Sequence, residues 1–218
     1  MFATLRSVPR RWSAVALLLT AASSASMSAC SKNATTGRSQ FNVMSREEEI
    51  QIGTEQSPEL TKEFGGAVTD PQLQAYVGDI GRRLAETTRV EDPQMADLPW
   101  EFTLLNSDVV NAFALPGGKV FISKGLAKEM TNEAQLAAVL GHEIGHVTAE
   151  HADQRYGQQI AIVGGTTIVG ALIGAAASSD DRAAGAAVGA GVGAAGGGIW
   201  ALSYSRDQEV QADRLGMR

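Results

Sequence analysis

Cysteine is almost absent from this chain, which has one in 218 residues. A single cysteine excludes a framework of internal disulfides. An excess of positive charge is also missing, because 24 acidic residues against 18 Lys and Arg leave a formal net charge of −6. This balance argues against a polyanion-binding face, and therefore against a nucleic-acid partner. Aromatic residues are only 6% of the chain, and we interpret them as core packing rather than as a cofactor-binding set.

The amino end lacks an apolar run long enough to span a membrane. A basic start, a short apolar run at residues 14–20 and a series of small residues lead to Cys30. This order predicts a secretory signal peptide over residues 1–29. The sequence Met27-Ser28-Ala29-Cys30 resembles a bacterial lipobox, with methionine where leucine is usual, so Cys30 is expected to be the lipidated first residue of the mature protein. An ordinary signal peptide followed by a stray cysteine is the alternative.

Two of the three histidines lie four residues apart, in His142-Glu143-Ile144-Gly145-His146. On a helix this spacing puts both imidazoles on one face, where their nitrogens can hold one zinc ion. Glu143 follows the first histidine and lies close enough to take a proton from a metal-bound water. The third histidine, His151, is five residues past His146 and is expected to fall off this face. The alternative for the motif is a helix with two surface histidines.

The residues before the motif predict a helix that is anchored in a core. Thr131-Asn132-Glu133 has the capping side chain and the early acid that are typical of a helix start. Apolar residues then follow at helical spacing and mark a buried face: Leu136, Val139, Leu140 and Val147.

Two acids further along the chain have the same spacing as the histidines. Glu209 and Asp213 are four residues apart, so both are expected on one side of a second helix. One carboxylate completes a site of two histidines and one glutamate, with water in the fourth position. The other can accept the free ring N–H of a liganding histidine. The alternative is a pair of ordinary surface acids.

The pairing of this histidine motif with Glu209-x-x-x-Asp213 resembles the gluzincin metallopeptidases. More narrowly it is similar to metallopeptidase family 48, the group of the CAAX prenyl proteases and the mitochondrial OMA-type proteases. Asn111-Ala112-Phe113-Ala114-Leu115-Pro116-Gly117-Gly118 resembles the family's segment upstream of the zinc helix. Thr36-Gly37-Arg38-Ser39-Gln40-Phe41-Asn42 resembles the start of its bacterial envelope lipoproteins. The resemblance covers roughly residues 30–218.

The resemblance implies a role for each matching residue. It implies one Zn²⁺ ion per subunit with three ligands: His142, His146 and Glu209. Glu143 would be the general base, and Asp213 would lie behind the zinc ligands, bonded to His142. Asn111 and Ala112 fall where relatives present an edge strand to the substrate backbone.

The resemblance also implies an activity and a location. The expected activity is zinc-dependent hydrolysis of peptide bonds in unfolded or misassembled envelope proteins, by a lipoprotein at the periplasmic face of the outer membrane. Relatives continue with further helices, so we expect a sequence that is truncated at Arg218, with the residue that stabilises the oxyanion beyond it. Two alternatives stay open: a zinc-binding, chaperone-like lipoprotein that rarely cuts, and a scaffold lipoprotein whose motif is incidental.

The expected fold is an α+β, mainly helical gluzincin metallopeptidase domain with a small three-stranded sheet beside the zinc helix. Ser45-x-x-Glu48 and Thr69-Asp70-Pro71 predict two helix starts. Alternation and the Pro116-Gly117-Gly118 turn predict the strands: Trp100–Leu104, Val109–Leu115 and Lys119–Ser123.

The predicted domain order is a lipid-anchored linker at residues 30–44 and a zinc metallopeptidase domain at residues 45–218. Within that domain, residues 160–199 form an apolar Gly/Ala-rich insert. Its glycines recur every four residues, a spacing that allows close helix packing in lipid, and each apolar half is about one bilayer thick if helical. A transmembrane hairpin therefore stays open beside the interpretation that we favour, a soluble or membrane-touching insert next to the active site.

Overall fold

The computed structural model describes residues 30–159 and 204–218. The predicted signal peptide and the Gly/Ala-rich insert lie outside these residues. The helices with both ends described are α1 (Arg46–Glu63), α2 (Pro71–Thr87), α3 (Pro93–Ala96), α4 (Lys124–Glu129), α5 (Glu133–Thr148) and α6 (Arg206–Gly216), and residues 151–159 are also helical. The strands are β1 (Cys30–Lys32), β2 (Ser39–Phe41), β3 (Glu101–Leu105), β4 (Ala112–Leu115) and β5 (Lys119–Ser123). None of the described helices is both long and apolar enough to cross a membrane.

The helix starts predicted from the sequence are present and capped. The Ser45 hydroxyl accepts the N–H of Glu48, and the Glu48 carboxylate accepts the N–H of Ser45, which forms a reciprocal capping box. The Asp70 carboxylate accepts N–H groups of the first turn of α2, and Asn132 caps α5 in the same way. Each cap satisfies amides that have no partner within the helix, so these polar residues fix where the helices begin.

The apolar stripe of α2 is buried only in part. Val77 and Ile80 are in the core, but Leu73 and Tyr76 are 48% and 45% exposed. Near this end of the helix a polar residue meets β3 instead: the Gln74 amide bonds to both the N–H and the carbonyl of Leu104. The sheet therefore covers only part of the apolar side of α2.

The three-stranded sheet has the strand order β3-β5-β4. β5 pairs in parallel with β3 and antiparallel with β4, which leaves β4 as an edge strand. The prediction of a strand from Val109 was wrong at its start, because β4 begins at Ala112 and Val109 and Val110 are exposed. β5 ends at Ser123, whose N–H bonds to the carbonyl of Asn111. No β5 residue therefore extends far enough to pair with Val109 and Val110.

The main core lies between this sheet, α2 and α5. Leu140 and Ile144 of α5 and Val120 and Ile122 of β5 are buried in one apolar cluster. α5 is thus held on one face by the sheet, which supports the prediction of an anchored helix. The α+β, mainly helical fold with a small sheet is confirmed.

Residues 30–44, predicted as a linker, contain a β1–β2 hairpin that bonds to the rest of the domain. The Asn33 side chain donates to the carbonyl of Thr148, at the end of α5. The backbone N–H groups of Val43 and Met44 donate to the Asp153 carboxylate. These contacts are polar and distant in sequence, so hydrophobic spacing did not reveal them.

Candidate metal centre

Three side chains from two helices converge at one point. Nε2 of His142 lies 3.0 Å from Nε2 of His146 on α5. The Glu209 carboxylate of α6 lies 3.4 Å from Nε2 of His142 and 3.7 Å from Nε2 of His146. Within residues 30–159 and 204–218, this is the group of three His, Cys, Asp or Glu side chains whose ligand atoms are close enough to hold one metal ion.

The spacing of these atoms fits a tetrahedral zinc site. Ligand atoms about 2.0–2.1 Å from a tetrahedral zinc ion are separated by roughly 3.3 Å from each other. The two imidazole nitrogens are 3.0 Å apart, Oε2 of Glu209 lies 3.4 Å from His142 and its Oε1 lies 3.7 Å from His146, all close to that value. Two imidazoles and one carboxylate are also the donor set of catalytic zinc sites that keep one position open for water. The residues present therefore fit zinc.

The start of α6 places Glu209 toward α5. The Ser205 hydroxyl accepts the N–H of Gln208, and the Gln208 amide oxygen accepts the N–H of Ser205. This capping box fixes the first turn of the helix, and Glu209 comes directly after it. Ala212 is fully buried against α5, so α6 contacts α5 along the side that carries Glu209.

Asp213 contacts His142 on the side away from His146 and Glu209, the contact that the family resemblance implies. Its Oδ1 is 2.8 Å from Nδ1 of His142. A carboxylate can only accept, so this contact places the ring proton of His142 on Nδ1. The Nε2 lone pair of His142 is then free to face His146 and Glu209.

His146 is buried and held neutral. Its exposed fraction is 3%, and burial lowers the pKa of its imidazole to about 3, with the neighbouring histidines His151 and His142 acting in the same direction. An uncharged imidazole is the form that binds metals. His146 is therefore in the ligand form over the whole physiological pH range.

His151 is not one of the converging side chains, but it contacts His146 at the ring nitrogen that faces away from His142 and Glu209. Its Nδ1 lies 3.0 Å from Nδ1 of His146. A continuous helix would carry His151 off that face, but α5 ends at Thr148 and Glu150 has a left-handed backbone with φ of 55°. The chain turns there and starts a new helix at residue 151. Left-handed glutamate is uncommon, so nothing in the local sequence signalled the turn.

Glu143 is buried beside the three converging side chains. Burial raises the pKa of its carboxyl to about 8, and the Glu209 carboxylate adds to the increase. A buried carboxyl with a raised pKa holds a proton more readily than an exposed one. The position and environment of Glu143 therefore suit proton transfer.

Tyr204 contributes to the site although the sequence analysis did not single it out. Its ring stacks on that of His146, with centroids 4.0 Å apart and an angle of 23° between the planes. Burial raises the pKa of its hydroxyl, so Tyr204 stays protonated. A tyrosine directly before a helix cap has no distinctive pattern, and only the structure shows its contact with His146.

The edge strand β4 lies next to this centre. A small pocket is lined by residues that include Ala114 and Leu115 of β4 together with His146 and Tyr204. The backbone of Asn111 is engaged with Ser123, since its carbonyl accepts the Ser123 N–H and its own N–H donates to the Ser123 hydroxyl.

In an antiparallel pair the residues whose backbones bond across the ladder alternate with residues whose backbones point away from it. Asn111 bonds toward β5, so Ala112 and Ala114 direct their N–H and carbonyl groups to the open edge. Within residues 30–159 and 204–218 no strand pairs with this side of β4, so the edge presents the backbone of two residues. Cys30 is the first residue of β1, and its lipidation stays a prediction.

Comparison with known proteins finds relatives that are named as proteases. The beta-barrel assembly-enhancing protease of Escherichia coli (strain K12) is 33% identical over 187 residues, which are 84% of this chain and 36% of that protein. The mitochondrial metalloendopeptidase OMA1 of Schizosaccharomyces pombe is 33% identical over 118 residues, 54% of this chain and 34% of that protein.

The chain thus spans about a third of the length of these relatives. Residues 71–218, which include both helices of the metal centre, match the description "Peptidase family M48". This match covers well over half of the 218 residues. The chain belongs to peptidase family M48.

Proposed function

We propose that this chain is the catalytic domain of a zinc-dependent endopeptidase. The observation that carries the proposal is the convergence of His142, His146 and Glu209 at separations that suit one tetrahedral zinc ion. Family membership supports the same activity, because one of the relatives described above is named as a protease and the other as a metalloendopeptidase.

The chemistry divides between the ion and the protein. Zinc, when bound, supplies a Lewis acid that polarises a carbonyl and lowers the pKa of water. Glu143 acts as the general base: its buried carboxyl accepts the proton of the attacking water and later gives it to the leaving amine. Asp213 holds the ring of His142 in the orientation and tautomer that the site needs.

The substrate is proposed to bind as an added strand at the open edge of β4. Ala112 and Ala114 offer backbone donors and acceptors there, and a peptide in extended form can pair with them whatever its side chains are. Asn111 precedes this edge and fixes its register through its bonds to Ser123. Such recognition requires an unfolded segment, which agrees with unfolded or misassembled proteins as substrates.

We place the enzyme in the bacterial cell envelope. This setting is supported by the signal-like residues 1–29, by Cys30 as a lipid anchor and by the name of the Escherichia coli relative. The proposed location is the periplasmic face of the outer membrane, and the proposed substrates are misassembled envelope proteins. Residues 160–199 are a second candidate contact with the membrane.

Casein hydrolysis by the full-length protein and by Glu143→Gln tests the activity. Glutamine is close to glutamate in shape but cannot take a proton, so we expect the variant to keep one zinc per chain and to lose roughly 10²–10⁴-fold in hydrolysis. Equal hydrolysis by both proteins would remove Glu143 from the mechanism. A zinc-loaded wild type that does not cut casein would instead support the chaperone-like alternative.

A further inference from the structure

The two histidines of the metal centre have different hydrogen-bond partners at their Nδ1 atoms. Nδ1 of His142 faces the carboxylate of Asp213 at the protein surface. Nδ1 of His146 faces Nδ1 of His151, 3.0 Å away, and Nε2 of His151 lies 3.1 Å from Oε1 of Gln211. His146 and His151 are both buried. The second arrangement is therefore a series of three uncharged side chains, of which the two histidines are buried and Gln211 is partly exposed.

The donor and acceptor roles in the series His146–His151–Gln211 follow from its last member, Gln211. The amide oxygen of Gln211 can only accept, so His151 carries its proton on Nε2. Nδ1 of His151 is then an acceptor, and the partner that donates to it must be Nδ1–H of His146. This leaves the lone pair of His146 on Nε2, the atom that faces His142 and Glu209.

We propose that His151, supported by Gln211, is a positioning residue that fixes the metal-binding tautomer and the ring orientation of His146. This inference rests on the proposed function, because the ion it serves is the zinc of the peptidase site. Tyr204 stacks on the face of the same ring, so the imidazole is restrained in its plane by His151 and across its plane by Tyr204.

The left-handed turn at Glu150 brings His151 to this position. The Glu150 carboxylate bonds to the side chains of Asn33, Asn42 and Arg46. The turn is therefore held by groups from the β1–β2 hairpin, the segment after it and α1. The series His146–His151–Gln211 in turn connects α5 to α6 behind the metal ligands.

Zinc affinity of full-length variants, measured by competition with a chelator, tests the assignment. His151→Phe keeps an aromatic ring but has no acceptor, and we expect a 10–100-fold loss of zinc affinity, as for other partners of metal ligands. His151→Asn places an amide oxygen near the position of the lost Nδ1, and we expect it to stay within about threefold of the wild type. The visible spectrum of the cobalt-substituted protein should change in His151→Phe and be retained in His151→Asn.

A substitution of a fully buried residue can prevent folding. One further measurement therefore changes the partly exposed Gln211, and another uses the wild type. Gln211→Leu, at a partly exposed position, should weaken zinc binding, whereas Gln211→Glu, which keeps an acceptor, should not. In the zinc-loaded wild type, ¹⁵N chemical shifts should show His151 protonated on Nε2.

The zinc affinities and the ¹⁵N chemical shifts each test whether His151 fixes the tautomer of His146. A folded His151→Phe or Gln211→Leu protein with wild-type zinc affinity, or a zinc-loaded wild type with His151 protonated on Nδ1, would overturn the positioning role while leaving the peptidase proposal in place. A wild type that binds no zinc would overturn both.

Discussion

Gly145 of α5 lies against the backbone of Ala212 in α6, with no space for a side chain between them. A Cβ atom at Gly145 would be 2.7 Å from the carbonyl oxygen of Ala212. One turn earlier, a Cβ at Gly141 would be 2.8 Å from the carbonyl oxygen of Gly216. The two helices therefore touch backbone to backbone, and this close approach brings Glu209 within reach of the histidines.

Gly145→Ala is expected to separate the two helices. The nearest atom is backbone, which cannot rotate away, so α6 must shift and carry Glu209 with it. We expect zinc affinity to fall at least tenfold, and the free energy of unfolding to drop by about 1–3 kcal/mol, the usual range for overpacking. Chelator competition and urea unfolding measure the two effects.

Gly78→Ala is the matched control for this substitution. Gly78 also lies in a helix, but the atoms near its added Cβ belong to the end of the flexible Arg82 side chain. Alanine favours helix by up to about 1 kcal/mol over glycine, so we expect unchanged zinc affinity and equal or greater stability. If Gly145→Ala bound zinc as tightly as Gly78→Ala, close packing of α5 and α6 would not be what positions Glu209.

Glu150 is expected to hold residues 30–44 to the domain. Glu150→Ala removes a carboxylate that accepts from Asn33, Gln40, Asn42 and Arg46 and leaves a side chain with a Cβ in a left-handed conformation. We expect a loss of roughly 2–4 kcal/mol in unfolding free energy and faster proteolytic cleavage within residues 30–44.

Glu150→Gly separates the loss of the carboxylate from the cost of the left-handed backbone. Glycine adopts the backbone conformation freely, so it should recover up to about 1 kcal/mol relative to alanine while residues 30–44 stay as sensitive to protease. Protection of residues 30–44 in both variants would mean that the carboxylate is not what fastens this segment.

Glu49 makes the folded chain less stable as the pH rises. Burial raises the pKa of its carboxyl from 4.5 to about 8, and the charges of Glu150 and Asp153 add to the increase. The folded state therefore binds more protons than the unfolded state between these values. The contribution of Glu49 to stability is greatest below about pH 4.5 and falls toward pH 8, with a limiting slope of about 1.4 kcal/mol per pH unit.

Urea unfolding of the metal-free protein from pH 5 to pH 9 measures this dependence. Glu49→Gln should show a shallower decline and gain on the wild type as the pH rises. Burial also raises the pKa of Asp153, from 3.8 to about 6, so Asp153→Asn should change the slope mainly in the lower part of this range, with a smaller change above it because the charge beside Glu49 is lost. Parallel curves for Glu49→Gln and the wild type would show that Glu49 is ionised in the folded state.

The open edge of β4 gives a prediction about substrate binding. Ala112→Pro removes an N–H that faces away from β5, which an edge strand tolerates. We expect kcat/KM for peptide substrates to fall roughly threefold to tenfold, as for one lost hydrogen bond, with stability and zinc affinity retained. Phe113→Pro, which removes an N–H on the β5 side, should instead destabilise the fold. Unchanged kcat/KM in a folded Ala112→Pro protein would contradict strand addition at this edge.

Much of this domain could be predicted because its signals are local. The caps at Ser45 and Asp70 and the four-residue spacings of His142 with His146 and of Glu209 with Asp213 depend on nearby residues. These patterns predicted the helix starts and the side chains that share one face of each helix, and alternation predicted the three-stranded sheet. The approach of α6 to α5 was inferred from family resemblance rather than from the residues themselves.

The features that sequence reasoning missed depend on contacts between distant residues. His151 reaches His146 only because Glu150 adopts a left-handed turn, and that turn is held by polar side chains more than 100 residues earlier. Tyr204 stacks on His146 across 58 positions of the chain. Val109 was assigned to a strand because its apolar character extends past the point where β5 ends. Neither these two contacts nor the end of β5 produces a periodic pattern in the sequence.

Zinc binding by Glu209→Gln tests most directly the central claim that Glu209 and the two histidines hold one ion. Glu209 lies 67 residues from His142, and the account requires both to hold one ion. Asp207→Asn is the matched control, because Asp207 is an exposed acid in the first turn of the same helix. We predict one zinc per chain in the wild type and in Asp207→Asn, and at least a tenfold weaker affinity in Glu209→Gln. Equal zinc binding by folded Glu209→Gln and Asp207→Asn proteins would contradict the account.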